Sequence, residues 1–195
     1  MSLATRIPLT LTALRALLAP VVVALALWLP SQTAFGLCLV AAFLSDVFDG
    51  VIARRLGIAT ANLRRLDSIA DTLFYVAATF AAWHLYPQVI RDHFVALGVL
   101  VALELARYAF DLAKFRREAS YHMWSSKLWG LVLFAAFLAL LAGGYTGPWM
   151  GAPLYVGIAV DLEGLAISCV LTRWQADVPS IVHALRVRAK AVDER

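Results

Sequence analysis

The sequence predicts an all-α membrane protein: a bundle of six transmembrane helices with both termini cytoplasmic. Three observations carry that prediction. Of 195 residues, 62% are apolar and only 15% are charged, against about half and a quarter in an ordinary soluble domain. Mean hydropathy is correspondingly high, at +0.78. The apolar residues are gathered into six runs long enough to cross roughly 30 Å of hydrocarbon, for which a helix needs about 20 residues. The basic residues, finally, are concentrated in every second connection between those runs. This composition excludes a disordered chain, a water-soluble globule and a disulfide-stapled module.

The runs fall at about 7–29, 33–53, 66–86, 89–110, 128–147 and 149–174. Pro30-Ser31-Gln32 follows the first, Pro87 the third, and Gly143-Gly144-Tyr145-Thr146-Gly147-Pro148 ends the fifth, all turn chemistry. They are too long for strands and lack a period of two. Residues 1–30 have the outline of a signal sequence, but no small-x-small cleavage site follows, so the first span is expected to be retained. Residues 1–174 then form a six-helix catalytic domain and 175–195 a short cytoplasmic tail, amphipathic helix or loose end.

The basic residues set the orientation. Arg54, Arg55, Arg64 and Arg65 lie between the second and third runs, and Lys114, Arg116, Arg117 and Lys127 between the fourth and fifth. Arg173, Arg186, Arg188, Lys190 and Arg195 follow the sixth, whereas the opposite loops hold only Arg91. An excess of Lys and Arg marks cytoplasmic loops, so the N-terminus is inside. The net charge of +4 belongs to that pattern rather than to nucleic-acid binding, since no basic stripe is interleaved with aromatics. Trp28, Trp83, Tyr86, Trp149 and Trp174, near run ends, read as interfacial belt residues. Cys38 and Cys169 lie inside apolar runs and read as small buried hydrophobes, not as a disulfide.

Charges inside the runs are the informative departures, because an ionisable group in a spanning helix is costly. Asp46 and Asp49 close the second run, and Asp67 and Asp71 open the third. Spacings of three and four put each pair on one helix face. The short basic connection lets both helices stand side by side with four carboxylates converging. Such a group repels itself unless cations neutralise it, and hard divalent ions such as Mg²⁺ or Mn²⁺ take oxygen ligands while leaving room for phosphates. The competing reading is a solvated helix end. The helix dipole favours Asp67 near an N-terminus but disfavours Asp46 and Asp49 near a C-terminus. Gly50 and Ala53 beside them allow close approach of a ligand. Arg15 stands mid-run and suits either donor phosphates or an acidic partner, while Asp161 and Glu163 lie in the last run on different faces.

Asp46-x-x-Asp49-Gly50-x-x-Ala53-Arg54, followed after twelve residues by Asp67-x-x-x-Asp71, resembles the signature of the CDP-alcohol phosphatidyltransferase family. Ile7-Pro8-Leu9-Thr10-Leu11-Thr12-Ala13-Leu14-Arg15 resembles the family's opening segment, and the likeness extends over about residues 6–174. The resemblance implies an integral-membrane phosphotransferase of phospholipid synthesis, in the cell (inner) membrane with its site at the cytoplasmic face. It would move a phosphatidyl or similar substituted phosphate group from a CDP-linked donor such as CDP-diacylglycerol to an alcohol, releasing CMP. It implies two divalent cations, Mg or Mn, on Asp46, Asp49, Asp67 and Asp71, with Asp71 also the general base. Gly50, Arg54 and Thr60 would contact the CDP group, and a homodimer is expected.

The chain departs from the family pattern at Leu9, where Asn is usual, and at Leu63, where Gly is usual, so the shape of the nucleotide pocket differs. For the acceptor, a small or phosphorylated alcohol, the family's layout points to Arg107 and Lys127. Arg107 also lies three residues from Glu104, a potential ion-pair partner inside the membrane. Three alternatives stand beside the leading reading. The chain could be an inactive relative, a relative using another CDP-linked donor, or a divalent-cation transporter. Transporter sites tend to lie near the midplane on interrupted helices, whereas these aspartates sit near one face beside arginines.

Overall fold

A computed structural model describes residues 3–57 and 60–193, with side chains other than those of residues 3–6, 53, 54, 61, 62, 64 and 190–193. Among the described residues every regular element is helical: α1 (Leu3–Trp28), α2 (Gln32–Arg55), α3 (Ala61–Leu85), α4 (Pro87–Asp92), α5 (Phe94–Phe115), α6 (Trp124–Phe137), α7 (Ala152–Val170) and α8 (Ile181–Asp193). A π-helical turn, Leu138–Ala142, follows α6, and a 3-10 turn, Pro148–Gly151, precedes α7. Four stretches among the described residues are long and apolar enough to cross a membrane: Ile7–Trp28, Gln32–Ile52, Trp124–Ala142 and Pro148–Val170. Helices also occupy the third and fourth expected runs. There Asp67 and Asp71 interrupt the apolar sequence of α3, and Glu104, Arg107 and Asp111 that of α5.

The chain divides into two compact units, residues 1–92 with 137–147, and residues 93–136 with 148–195. In the first, α1 packs against both α2 and α3, and the π turn lies against α2. The buried face of each helix can be read at three- and four-residue steps. On α1 it is Pro8, Thr12, Arg15, Ala19, Val22 and Ala26, and on α2 it is Phe35, Leu39, Ala42, Ser45 and Asp49. On α3 it is Ala70, Phe74, Ala77, Ala78, Ala81 and Ala82. The prevalence of alanine has a packing reason: helices in lipid associate through close backbone approach at small residues. Gly36 shows how little space remains, since a Cβ there would stand 3.3 Å from the Cβ of Ala142. Large apolar side chains such as Leu17, Leu37, Phe48, Leu73 and Val76 point outward, the arrangement that a hydrocarbon solvent favours.

In the second unit α5 and α8 each pack on α7. Its core joins Tyr121, Met123, Val160, Ile167, Leu171, Val178 and Ala184. The segment expected as a tail therefore carries a helix, and Ala184 on it is fully buried. Helix α5 runs past the expected end at residue 110 to Phe115. It stops where Arg116 turns left-handed, at φ 57°, with its N–H donating to the Leu112 carbonyl at 3.1 Å. Neither cysteine forms a disulfide; Cys38 is buried as expected, but Cys169 is exposed on the outer side of α7.

Candidate metal centre

Three helices of the first unit build one polar focus. Asp46 and Asp49 lie near the C-terminal end of α2, and Asp67 and Asp71 in the early turns of α3. Helix α3 starts where it does because Thr60 caps it, its hydroxyl accepting from the Leu63 N–H at 3.2 Å. A capping side chain of this kind satisfies one of the donors that a helix N-terminus leaves open. Helices α2 and α3 each pack against α1 rather than broadly against one another, and α1 thereby brings the last turns of one and the first turns of the other to a common centre.

Arg15, from α1, reaches all four carboxylates. Its Nη1 donates to Asp46 Oδ1 at 3.1 Å, to Asp67 Oδ1 at 3.0 Å and to Asp71 Oδ1, and its Nη2 donates to Asp49 Oδ2 at 2.5 Å. Its Nε points at Ser45 Oγ, 3.4 Å away, and that hydroxyl in turn donates to the Ala42 carbonyl at 2.7 Å. One helical turn before Arg15, the Thr12 hydroxyl donates to the Pro8 carbonyl at 3.0 Å and lies 3.5 Å from Asp49 Oδ2. The sequence left Arg15 between two roles; the structure joins it to the acidic cluster.

Burial grades across the site. Arg15 is 1% exposed and Asp49 5%, forming the floor. Asp46, Asp67 and Asp71 are 44%, 33% and 34% exposed and form the open rim. Oxygens of Asp46, Asp49 and Asp67 all lie within 4.8 Å of one another, a spread that one cation can bridge. Arg15 and the four carboxylates it contacts sum to a formal charge of −3 when all are ionised. Crowded like charges are unfavourable at this dielectric, so the cluster calls for further positive charge. A donor set made only of oxygen suits Mg²⁺ or Mn²⁺ rather than a soft metal. The residues therefore fit a divalent-metal site.

The other expected site residues are distributed as follows. Gly50 is half-buried directly after Asp49, and Thr60 is exposed at the α3 cap. The side chain of Arg54 lies outside the described residues. Leu9 and Leu63, the two departures from the family pattern, are both half-buried. Arg107 and Lys127 belong to the second unit. Arg107 donates through Nη2 to both carboxylate oxygens of Glu104 at 2.8 Å. Its Nε stands 3.4 Å from Asp161 Oδ1, an ion pair outside hydrogen-bond geometry. Lys127 is exposed in the first turn of α6. Glu163 is used structurally, accepting from Ser125 Oγ at 2.6 Å and from the Ile181 N–H at 3.3 Å.

One further feature adjoins the cluster. An apolar groove of about 430 Å³ runs between α1 and α3, lined by Ala16, Ala19, Val23, Leu73, Val76 and Phe80 among others. Its walls begin one residue after Arg15 on α1 and two residues after Asp71 on α3, and follow both helices from there. No single sequence run announces it, because its walls are apolar residues from two helices.

Long helices with outward apolar faces and an acidic centre define an integral membrane protein with a carboxylate site. A more specific finding follows from comparison with known families. The CDP-alcohol phosphatidyltransferase model matches residues 5–174, and the chain belongs to that family. Membership implies a transferase of substituted phosphate groups, with a CDP-linked donor and an alcohol acceptor as the family's substrate classes. No curated protein and no solved structure matches the chain at a significant level.

Proposed function

We propose that the protein transfers a phosphatidyl group from CDP-diacylglycerol, or a close CDP-linked lipid, to an alcohol and releases CMP. The observation that carries this reading is the convergence of four aspartates from α2 and α3 beside an open apolar groove. Asp46, Asp49, Asp67 and Asp71 hold two divalent cations, Mg or Mn. When bound, such ions polarise the diphosphate and offset charge developing on the departing CMP. Asp71, on the open rim at 34% exposed, accepts the proton of the acceptor hydroxyl. The acceptor oxygen then bonds to the phosphatidyl phosphorus. The bond from that phosphorus to the bridging oxygen breaks, and CMP leaves with its electron pair.

Gly50 has no side chain to obstruct the nucleotide beside Asp49, and Arg54 and Thr60 contact the CDP moiety. A donor acyl chain follows the groove between α1 and α3. Lys127 and Arg107 serve a phosphorylated acceptor, with Arg107 already engaged by Glu104 and Asp161. Residues 1–174 act as a six-span catalytic domain and residues 175–195 as a cytoplasmic tail. The basic-residue asymmetry supports cytoplasmic termini and a site at the cytoplasmic face of the cell (inner) membrane. The working unit is a homodimer.

The test is CMP release. Purified full-length protein in lipid nanodiscs receives CDP-diacylglycerol, Mg²⁺ or Mn²⁺, and glycerol 3-phosphate, serine, an inositol phosphate or phosphatidylglycerol in turn. Release with one alcohol, lost in Asp71→Asn, is the expected outcome. Protein that takes up Mn²⁺ but releases no CMP with any of them overturns the choice of lipid donor.

A further inference from the structure

The buried guanidinium of Arg15 contacts the same four carboxylates that the proposed function gives to metal ions, and it does so with both terminal nitrogens. Nη1 is shared among Asp46, Asp67 and Asp71, while Nη2 is committed to Asp49. The side chain is anchored from behind, since Nε faces Ser45 and the residue is 1% exposed. A surface ion pair would have a single partner and water around it. Here the Arg15 guanidinium stands at the point where four helix-borne anions meet.

Resting on the metal reading above, we infer that Arg15 is a positioning residue that acts as a built-in competitor for divalent metal. Its charge holds the four carboxylates together. Every cation that takes Oδ1 of Asp46, Asp67 or Asp71 must displace Nη1 or tolerate its charge at hydrogen-bond distance. The two Nη atoms are not equivalent in this respect. Nη2 meets Asp49 on the sealed floor, whereas Nη1 meets the three rim carboxylates that are one-third to nearly one-half exposed. Metal entering from the open side therefore exchanges with Nη1 first, and the pair with Asp49 remains as the pivot. Metal uptake and the Arg15 contacts are linked functions: the factor by which those contacts weaken metal binding is the factor by which bound metal weakens the contacts. The arrangement keeps metal affinity moderate, so the ions can leave or shift as substrate phosphate comes and goes.

The experiment measures Mn²⁺ binding directly, without turnover. Full-length wild type, Arg15→Gln and Arg15→Lys in detergent micelles are titrated with Mn²⁺, and the free ion is followed by electron paramagnetic resonance. Arg15→Gln is expected to lower the Mn²⁺ Kd about fivefold or more, and also to show a larger rise in thermal midpoint on adding Mn²⁺ than wild type does. Arg15→Lys keeps the charge but not the fork that reaches four partners, so its Kd falls between the two. If Arg15→Gln does not fold, Arg15→Lys decides, and a Kd below that of wild type is the supporting result. A Kd that is unchanged or higher in the variants assigns Arg15 a purely scaffolding role and overturns the inference. Wild-type protein that takes up no Mn²⁺ overturns the metal reading together with it.

Discussion

Arg15 on α1 and Asp49 on α2 form the innermost ion pair of the protein's acidic cluster, with Nη2 and Oδ2 2.5 Å apart and the side chains 1% and 5% exposed. Everything else in the cluster is arranged outward from that pair. Asp46, Asp67 and Asp71 crowd one further nitrogen of the same guanidinium.

That crowding sets stability against function. Asp67→Asn removes one of four like charges while leaving the buried pair intact. It is expected to raise the thermal midpoint by a few degrees in chelator and to lower metal-dependent CMP release by about 100-fold or more. Thermal unfolding in excess EDTA, set beside the CMP assay, checks both signs. A midpoint that falls instead would mean that the rim carboxylates are not in mutual repulsion.

Thr60 has two roles to separate. Loss of the cap in Thr60→Ala is expected to cost about 1 kcal/mol of stability. Thr60→Ser preserves the hydroxyl that accepts from Leu63 and should retain most of it. If the hydroxyl also touches the donor, Thr60→Ala raises KM for the CDP-linked substrate and Thr60→Ser does not. Denaturation midpoints and donor saturation curves on the two variants distinguish capping from contact.

In the second unit, Arg107 and Asp161 should be coupled. Asp161 is 2% exposed, and one of its oxygens has no hydrogen-bond partner among the described residues. Arg107→Leu strands that carboxylate and is expected to destabilise the protein by about 3–5 kcal/mol. The double variant Arg107→Leu/Asp161→Leu should recover part of the loss, because it removes the buried carboxylate with its partner and leaves only Glu104, whose side chain is 51% exposed. A double-mutant cycle in thermal or denaturant unfolding measures the coupling.

Gly157 tests packing on α7. A Cβ at that position would stand 2.8 Å from Nε1 of Trp129 and 2.9 Å from Cδ1 of Leu100. The indole is held in place by its hydrogen bond to the Pro153 carbonyl, at 2.8 Å. Gly157→Ala is therefore expected to cost about 1–3 kcal/mol, and Trp129 fluorescence should shift with it. Unchanged stability would show that the indole can yield.

Much of this was legible from residue order because helical period converts spacing into facing. Asp46 with Asp49, and Asp67 with Asp71, could be put on common faces from steps of three and four alone. Arg15 was visible as a charge inside an apolar run, yet its partners were not, since periodicity describes one helix and is silent on which neighbour it meets. The missing signal was the stripe Pro8, Thr12, Arg15, Ala19, Val22 and Ala26, whose small members imply close helix contact and so put Arg15 in an interface. The helix in residues 181–193 and the extension of α5 to Phe115 depend on contacts across the second unit and on a left-handed residue at Arg116. The helix is one of the two readings the tail leaves open, whereas the extension of α5 has no strong local signature.

The cap at Thr60 also decides which changes in chain length the protein can survive. Asp67 and Asp71 are counted from the first turn of α3, so one residue inserted between Thr60 and Asp67 rotates both carboxylates by about 100° around the helix axis. The same insertion on the α2 side of Thr60 lengthens a connection and leaves the count intact. Length variation is tolerable on one side of a single threonine and ruinous on the other.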